Sequence, residues 1–368
     1  MWKMAFLDPN LEEKYSFLVE WYDTIASIIR RYQLLYYLKD GSIEMYDMKS
    51  HRLFLKRTKY EDVHEDDLFL GNKLKVYGRL LLLADYGDQY TARILSTRKQ
   101  RTLGIIKPNY EAKVGKIIDM IYRSGLTITK AKMTNITRDL LQYFICGPGI
   151  ALEIMGDQAI TSWKKLLGIV DENKPSSEST ETIQKLYGIS DIRNAVHASN
   201  CVSSAARELE IFFPSGFGLG PSNTAKCIDC TLCIIKPHAV AEELTGKIMN
   251  TIEESGFNIN ALQMFNVDPM NASEFYEVYK GVVPEHNGMV MELSTGPCIA
   301  LEILQGPDVT KTFRACCGPA DPEIARHLRP NSLRALYGKN KIQNAVHCTD
   351  LPEDGVLEVQ YFFKILDS

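Results

Sequence analysis

The sequence lacks the features by which several large protein classes are recognised. No apolar run approaches the roughly 18 residues of a membrane-spanning helix, since the densest apolar cluster covers only residues 80–84. Charged residues make up 24% of the chain and hydrophobic residues 45%, which argues against a disordered chain. The 42 basic residues are outnumbered by 46 acidic ones, so no net positive charge attracts nucleic acid non-specifically. We therefore expect a globular protein with no membrane association and no strong nucleic-acid signal.

The first ten residues lack the apolar core and the cleavage site of a signal peptide. The nine cysteines are an odd number spread over a long chain, which indicates reduced thiols in a cytosolic setting. Cys227, Cys230 and Cys233 are spaced like a metal-binding run. However, no second Cys/His pair lies at a suitable spacing, and Cys233 begins a predicted strand. We therefore expect these thiols to pack in the core, and we predict no metal ligands.

An internal repeat organises the chain beyond residue 100. Ile105-Ile-Lys-Pro108 recurs as Ile234-Ile-Lys-Pro237, and Asn194-Ala-Val-His197 recurs as Asn344-Ala-Val-His347. The matched lysines at 107 and 236 are 129 positions apart, whereas the Gly-Pro motifs at 147 and 296 are 149 apart. The matched histidines are 150 apart. The first copy is therefore about 20 residues shorter than the second, and the deficit falls within residues 134–146.

Each copy has the pattern of a small α+β domain. Short β-rich runs lead into the Lys-Pro motifs, and the apolar helical patterns that follow stop at Gly125 and Gly256, as helices often do. Further alternating strands and an amphipathic helix over residues 203–213 complete the pattern. Two crossed βαβ units in this order predict ferredoxin-like βαββαβ domains. The N-terminal stretch instead has short β-rich segments between turns, which indicates a small, mostly β domain.

These patterns divide the chain into five parts. The boundaries follow the composition, the first repeated motif and a stretch rich in Gly, Pro and Ser. The parts are an N-terminal tail (1–14), a β-rich domain (15–100), a first repeat (101–214), a linker (215–228) and a second repeat (229–368).

The repeats resemble the nucleoside diphosphate kinase family. They share a Lys-Pro after a strand, a Gly-Pro before another, an Asn-x-x-His, and an acidic residue 11 positions past that histidine. The resemblance implies that a histidine takes the γ-phosphoryl group of a nucleoside triphosphate and passes it to a diphosphate. The implied cofactor is Mg²⁺ together with ATP or another nucleoside triphosphate. Such chemistry depends on positioning and charge neutralisation, which explains the basic residues around a nucleophilic imidazole.

In the second repeat the resemblance implies a nearly complete site. His347 matches the nucleophile, and Glu358 matches the carboxylate that orients it. Tyr276 matches the tyrosine near the nucleophile, and Thr349 replaces the family's serine while keeping a hydroxyl group. Lys236-Pro-His238 departs from the usual Lys-Pro-Asp, and the phenylalanine that stacks on the base has no clear counterpart. The implied contacts to phosphates and sugar are Lys236, Arg314, Arg334 and Asn344.

The first repeat matches the same pattern less completely. His197 matches the nucleophile and Glu208 its carboxylate. Lys164 and Gln184 stand where the second repeat has two arginines; the lysine loses the bidentate fork, and the glutamine loses the charge. The missing residues would carry the tyrosine and the phenylalanine, so we expect this repeat to bind nucleotide poorly. The other matched positions are Lys107, Asn194 and Ser199.

The N-terminal domain resembles the DM-ten domain family, through Glu20-Trp-Tyr22, Phe54-Leu-Lys-Arg57 and Asp85-Tyr-Gly-Asp-Gln-Tyr-Thr91. This resemblance implies partners among axonemal proteins, including tubulin of the doublet microtubule. It also implies a location in the cytoplasm and cytoskeleton, at the axoneme of cilia or flagella and at the centrosome. The basic pairs Arg30-Arg31 and Lys56-Arg57 are open to two interpretations, as solvated strand edges or as contacts with an acidic filament surface.

Two functional interpretations remain open at this stage. In the first, which the shortened hairpin and Gln184 favour, the protein is a microtubule-associated structural component of axonemes, inside the doublet microtubule. Its repeats would then bind nucleotides weakly at most. In the second, it is an active Mg²⁺-dependent nucleoside diphosphate kinase that forms a phosphohistidine. Because family members assemble through homodimers, we also expect the two repeats to pack as an internal pseudo-dimer that leaves the chain monomeric.

Overall fold

A computed structural model describes residues 13–23, 28–60, 63–69, 73–106, 114–136, 147–169, 182–187, 196–214 and 220–367. The chain divides into two compact units, Met1–Lys99 and Gln100–Ser368. Across these described ranges, we find no helix of the length and apolarity that crossing a membrane requires.

The first unit is built on a six-stranded antiparallel sheet. Its elements are β1 (Lys14–Asp23), β2 (Ile28–Tyr37), β3 (Ser42–Asp47), β4 (Arg52–Lys59), β5 (Lys73–Val76), β6 (Arg79–Tyr86) and helix α1 (Gln89–Arg98). The strand order is β4-β3-β2-β1-β6-β5. Tyr15, Phe17 and Val19 alternate along β1 and are buried in the core of this unit. The predicted β-rich domain is thus confirmed. The sequence does not predict β1 or α1; the segments that it predicts as β-rich are residues 32–37, 42–46, 53–56, 73–76 and 79–84.

The second unit contains both repeats. The first repeat supplies β7 (Lys99–Ile106), α2 (Val114–Arg123), β8 (Thr127–Ile136), β9 (Gly147–Asp157), α3 (Ala159–Leu167), α4 (Ile183–Tyr187), β10 (Val196–Ala198) and α5 (Val202–Phe212). The second supplies β11 (Thr231–Ile235), α6 (Pro237–Ala241), α7 (Thr245–Glu254), β12 (Asn258–Phe265), α8 (Pro269–Phe275), α9 (His286–Leu293), β13 (Cys298–Leu304), α10 (Val309–Cys317), α11 (Pro322–Leu328), α12 (Leu333–Tyr337), β14 (Val346–Cys348) and α13 (Gly355–Gln360).

The strands of both repeats form one continuous eight-stranded sheet. The order is β10-β7-β9-β8-β12-β13-β11-β14. Read from its outer edge towards the middle of the sheet, each half has the fourth, first, third and second strand of its repeat. This order is that of a βαββαβ domain, and the predicted fold class is confirmed. The helices α8 and α9 lie between β12 and β13, in the interval where the first repeat is shorter.

The two repeats join through their second strands and their first long helices. Lys132 of β8 pairs with Gln263 of β12. Next to this ladder, helices α2 and α7 cross where Gly115 of one faces Gly246 of the other. The side chain of Asp367 accepts hydrogen bonds from Lys132 Nζ at 3.0 Å and from Gln263 Nε2 at 2.5 Å, and so bridges the junction. The predicted internal pseudo-dimer is therefore present.

Candidate functional site

His347 is placed by the pairing of two strands. It lies on β14, directly opposite Ile234 of β11 in an antiparallel ladder. Strand β11 ends at Ile235, and Pro237 begins α6, where its fixed φ favours the first helical turn. Lys236 lies between that strand and that helix, so the fold brings Lys236 and His347 to the same end of neighbouring strands.

A carboxylate and a hydroxyl group hold the His347 ring. The ring Nε2 lies 3.0 Å from Glu358 Oε2, and Thr349 Oγ1 donates to the same oxygen at 2.8 Å. Thr349 Oγ1 in turn accepts a hydrogen bond from the Leu232 amide at 3.1 Å. Because a carboxylate only accepts, Nε2 carries the ring proton and Nδ1 keeps its lone pair. The arrangement orients the imidazole ring and leaves the Nδ1 lone pair outside the contact with Glu358.

Aromatic rings enclose the imidazole. The ring centroids of Phe275 and Tyr276 lie 5.1 and 5.8 Å from that of His347, both at steep angles. Tyr276 is fully buried, and its hydroxyl group has no hydrogen-bond partner in the described part of the chain. Burial raises the pKa of Tyr276, which keeps the hydroxyl group protonated as a donor. The structure thus places Tyr276 beside His347.

A cavity of about 1010 Å³ opens in front of His347. Its lining includes His347 and the four residues implied as phosphate and sugar contacts, which are Lys236, Arg314, Arg334 and Asn344. Residues that lie up to 111 positions apart in the chain, from Lys236 to His347, are therefore assembled around one space.

Lys236 is a buried cation at the base of the cavity. Its side chain is 3% exposed, and Nζ donates to the Ile342 carbonyl oxygen at 2.8 Å. Burial, reinforced by the positive charge of Arg334, lowers the pKa of Lys236 to about 7. A phosphate in the cavity would reverse this effect and favour the charged lysine.

The two arginines are held mainly by backbone oxygen atoms. Arg334 is buried and donates from Nε and Nη2 to the Val346 carbonyl oxygen, at 3.2 and 3.1 Å. Its Nη1 donates to the Gly318 carbonyl oxygen at 2.8 Å. Arg314 is half exposed and contacts Asp350 through both the carbonyl oxygen (2.8 Å) and the side chain (3.3 Å). Carbonyl oxygens orient a guanidinium without neutralising it, so Arg334 retains its charge for an anionic ligand.

Asn344 presents a buried acceptor. Its Nδ2 donates to the Ala320 carbonyl oxygen at 2.9 Å, whereas its Oδ1 is buried with no partner among the residues that the structure describes. A buried acceptor without a donor costs about 1–3 kcal/mol. A sugar hydroxyl group would satisfy it, which fits the implied role of Asn344.

The first repeat keeps the histidine, the carboxylate and the hydroxyl group in the same arrangement. His197 Nε2 lies 3.2 Å from Glu208 Oε2, and Ser199 Oγ donates to that oxygen at 2.7 Å. Ser199 Oγ also accepts a hydrogen bond from the Leu103 amide at 3.3 Å. Thr349 Oγ1 accepts the equivalent hydrogen bond from Leu232, on the first strand of the second repeat. The contacts that orient the histidine are therefore present in the first repeat, although Lys164 and Gln184 replace arginines there.

The structure describes two of the other four residues predicted for the first repeat. Lys164 Nζ donates to the Asn200 carbonyl oxygen at 3.0 Å. Gln184 lies on the short helix α4 and is partly buried. Lys107 and Asn194, also predicted for this site, lie outside the described residues.

Two residues that sequence reasoning did not assign lie next to the second site. His238 follows Lys236-Pro237, and its Nδ1 lies 2.6 Å from Glu292 Oε1. The unusual Lys-Pro-His triplet is a local signal, but nothing in the sequence pairs it with a glutamate 54 positions later.

The three cysteines with metal-like spacing are packed in the hydrophobic core. Cys227 and Cys230 belong to one cluster of buried side chains and Cys233 to another. Burial raises the pKa of Cys230 to about 12, so it remains a thiol. Within the described ranges, no three His, Cys, Asp or Glu side chains are grouped to hold a metal ion.

Three of the four residues in the basic pairs of the first unit, Arg30, Arg31 and Arg57, contact acidic side chains. Arg30 Nε lies 2.8 Å from Asp23, and Arg31 Nε lies 2.8 Å from Glu20 on the paired strand. The Arg57 guanidinium lies 3.8 Å from the centre of the Tyr37 ring and also contacts an aspartate. Exposed ion pairs of this kind contribute little to stability, and both interpretations of the basic pairs stay open.

Comparisons with known proteins agree with this geometry. The family model described as "Nucleoside diphosphate kinase" matches residues 138–216 and 229–367. A rat protein, "Nucleoside diphosphate kinase homolog 7", is 56% identical over 99% of this chain and 96% of its own length. The chain belongs to the nucleoside diphosphate kinase homolog 7 family. A mouse protein of the same name is 55% identical over 98% of this chain and 95% of its own length.

Single-domain relatives cover one repeat of this nucleoside diphosphate kinase homolog. A nucleoside diphosphate kinase of Aquifex aeolicus is 39% identical over 38% of this chain and 97% of its own length. A crystal form of the Aquifex aeolicus enzyme, 39% identical, covers 38% of this chain and 96% of its own, with a TM-score of 0.35. The N-terminal residues 9–97 match a family model described as a "Nucleoside diphosphate kinase 7 N-terminal PH domain". The DM-ten name predicted for this domain is therefore not confirmed.

Proposed function

We propose that this protein is a phosphotransferase of the nucleoside diphosphate kinase type that works through its second repeat. One observation carries the proposal: His347, with Nδ1 left free by Glu358, lines the same cavity as Lys236, Arg314 and Arg334. An oriented imidazole facing several cations is what phosphoryl transfer requires.

The transfer proceeds in two steps, first to His347 and then to a second nucleotide. His347 Nδ1 attacks the γ-phosphorus of a nucleoside triphosphate, a P–N bond forms, and the bond to the bridging oxygen breaks with release of the diphosphate. The cations Lys236, Arg314 and Arg334 neutralise charge on the phosphate oxygens, while Glu358 stabilises the positive charge that develops on the ring. A second nucleoside diphosphate then takes the phosphoryl group by the reverse chemistry. Mg²⁺ enters with the nucleotide as part of the substrate.

Nucleotide binding in this site is expected to be weak. Asn344 Oδ1 can accept a hydrogen bond from a sugar hydroxyl group, but the phenylalanine that stacks on the base in the family has no clear counterpart in the sequence. Base stacking contributes about 1–3 kcal/mol, so its loss raises the KM for nucleotides by roughly 5- to 150-fold. The site should discriminate poorly between bases because the phosphates supply most of the contacts.

The first test is labelling with γ-labelled ATP and Mg²⁺. We expect an acid-labile phosphohistidine that transfers to a nucleoside diphosphate and disappears in His347→Gln. The matched variant His197→Gln should retain the label because the first repeat has Gln184 in place of an arginine. Absence of label in the unaltered protein, or its loss only in His197→Gln, would contradict the proposal.

A second candidate function is structural. The first repeat retains its fold and its His197–Glu208 contact although Lys164 and Gln184 replace the two implied arginines, which favours a role other than transfer for that half. In this role the protein is a component of the ciliary or flagellar axoneme, bound to tubulin of the doublet microtubule. Co-sedimentation of the full chain with microtubules over a range of salt concentrations tests it, and absence of saturable binding counts against it.

A further inference from the structure

A buried hydrogen-bonded pair lies behind the second site. His238 on α6 and Glu292 on α9 are 8% and 6% exposed, and neither belongs to the lining of the cavity. Glu292 Oε1 lies 2.6 Å from His238 Nδ1 and also accepts the His238 backbone amide at 3.1 Å. Burial acts to raise the pKa of Glu292, but its hydrogen bonds with His238 outweigh this, and the net direction is down.

The third contact of His238 determines its tautomer. The backbone amide of Ala345 donates to His238 Nε2 at 3.2 Å. Nε2 must therefore carry a lone pair, which leaves the single ring proton on Nδ1 for donation to Glu292. Both ring nitrogens are satisfied in this neutral form, and a second proton on Nε2 would oppose the Ala345 amide.

Ala345 is the residue that this contact holds. Its φ of +70° lies in the left-handed region, which non-glycine residues adopt only when surrounding contacts hold them there. Its amide is held by His238, and its carbonyl oxygen accepts the Lys236 amide at 2.9 Å. Ala345 directly follows Asn344 and lies two positions before His347. The strained peptide thus sets the direction of both site residues.

We propose that His238 is a positioning residue for phosphoryl transfer, holding the left-handed Ala345 so that Asn344 and His347 face the same nucleotide. This inference rests on the proposed function of the second repeat. An aspartate at position 238 would only accept hydrogen bonds and would bring a second buried negative charge to Glu292, so the histidine and the glutamate form a matched set. The first repeat has Asn109, not a histidine, at the corresponding position of its Lys-Pro motif.

Two substitutions separate the two bonds of the His238 ring. In His238→Asn the amide nitrogen replaces Nδ1 and keeps the bond to Glu292, but nothing reaches Ala345. In His238→Gln the longer side chain places its oxygen near Nε2 and accepts the Ala345 amide. A misplaced reacting group costs about 100-fold in rate, so we expect single-turnover labelling of His347 to fall about 100-fold in His238→Asn. Labelling in His238→Gln should stay near that of the unaltered protein.

A merely structural role predicts a different result. Each variant loses one hydrogen bond of the buried ring. On a merely structural role, the two variants should therefore have similarly lowered melting temperatures and similarly lowered labelling rates. Rescue by glutamine but not asparagine is therefore specific to the Ala345 contact. Equal labelling rates in the two variants would overturn the inference.

Hydrogen–deuterium exchange of the Ala345 amide gives a second readout that needs no activity. We expect protection in the unaltered protein and in His238→Gln, and rapid exchange in His238→Asn at a temperature where all three are folded. If the unaltered protein forms no phosphohistidine but exchange follows this pattern, the proposed function is refuted, whereas the inference that His238 fixes the Ala345 amide is supported. If exchange is the same in both variants, the hold itself is refuted.

Discussion

The crossing of α2 and α7 predicts a sharp response to a single methyl group. A Cβ atom added at Gly246 would lie 2.5 Å from the Gly115 carbonyl oxygen and 2.6 Å from the Asp119 amide nitrogen. Both are backbone atoms that no rotamer change can move, so the two helices must separate. Overpacking of this kind costs about 1–3 kcal/mol. For a unit of this size each kcal/mol shifts the melting temperature by about 2–4 °C, so we expect Gly246→Ala to lower it by roughly 2–12 °C.

Differential scanning calorimetry of Gly246→Ala and a matched control tests this prediction. In Gly296→Ala the new methyl group would have its nearest neighbour at 3.8 Å, an ordinary contact, and the backbone needs no positive φ. We expect Gly296→Ala to change the free energy of unfolding by less than about 0.5 kcal/mol. If the two variants melt together, the repeats do not pack through this close helix crossing.

Two further perturbations follow from charged groups of the second unit. Asp367→Asn removes the charged partner of the mostly buried Lys132. We expect urea denaturation to show that the free energy of unfolding falls by about 1–3 kcal/mol. An unchanged free energy of unfolding would refute the bridge. Lys236, whose pKa burial lowers to about 7 from 10.5, binds fewer protons in the folded than in the unfolded state between those values. The contribution of Lys236 to stability therefore rises with pH above 7. At pH 8 the lysine of the free protein is mostly neutral, so phosphate binding should be accompanied by uptake of nearly one proton. At pH 6 it is already charged, so almost no proton should be taken up. Calorimetric titration with MgADP in buffers of different ionisation enthalpy measures this uptake, which should vanish in Lys236→Arg.

The architecture of the second unit could be predicted because the signals were local and duplicated. The Lys-Pro motifs follow the first strands in both copies, and in both the carboxylate lies 11 positions after the histidine, on the next helix. The first strand β1 was missed for a physical reason. Phe17, Leu18 and Val19 are consecutive apolar residues, which obscure the alternation that marks a half-buried strand.

The part of the site that depends on tertiary contacts could not be predicted. His238 and Glu292 meet only because α6 and α9 pack together, and no periodicity links them. Likewise, the left-handed Ala345 gives no sign in the sequence, since alanine rarely adopts that conformation and does so here under outside constraint. The implied roles of the chemically reactive residues came from motifs, whereas the residues that hold them came from the fold.

The continuous sheet has a consequence for how the two halves can change. In an association of two identical chains, every substitution appears twice, and dilution separates the partners. Here the partner is part of the same polypeptide, so the pairing holds at any concentration and each substitution appears once. A residue such as Gln184 can therefore replace an arginine in one half while Arg334 persists in the other. Covalent linkage thus releases the two halves from the symmetry that a dimer of identical chains would impose.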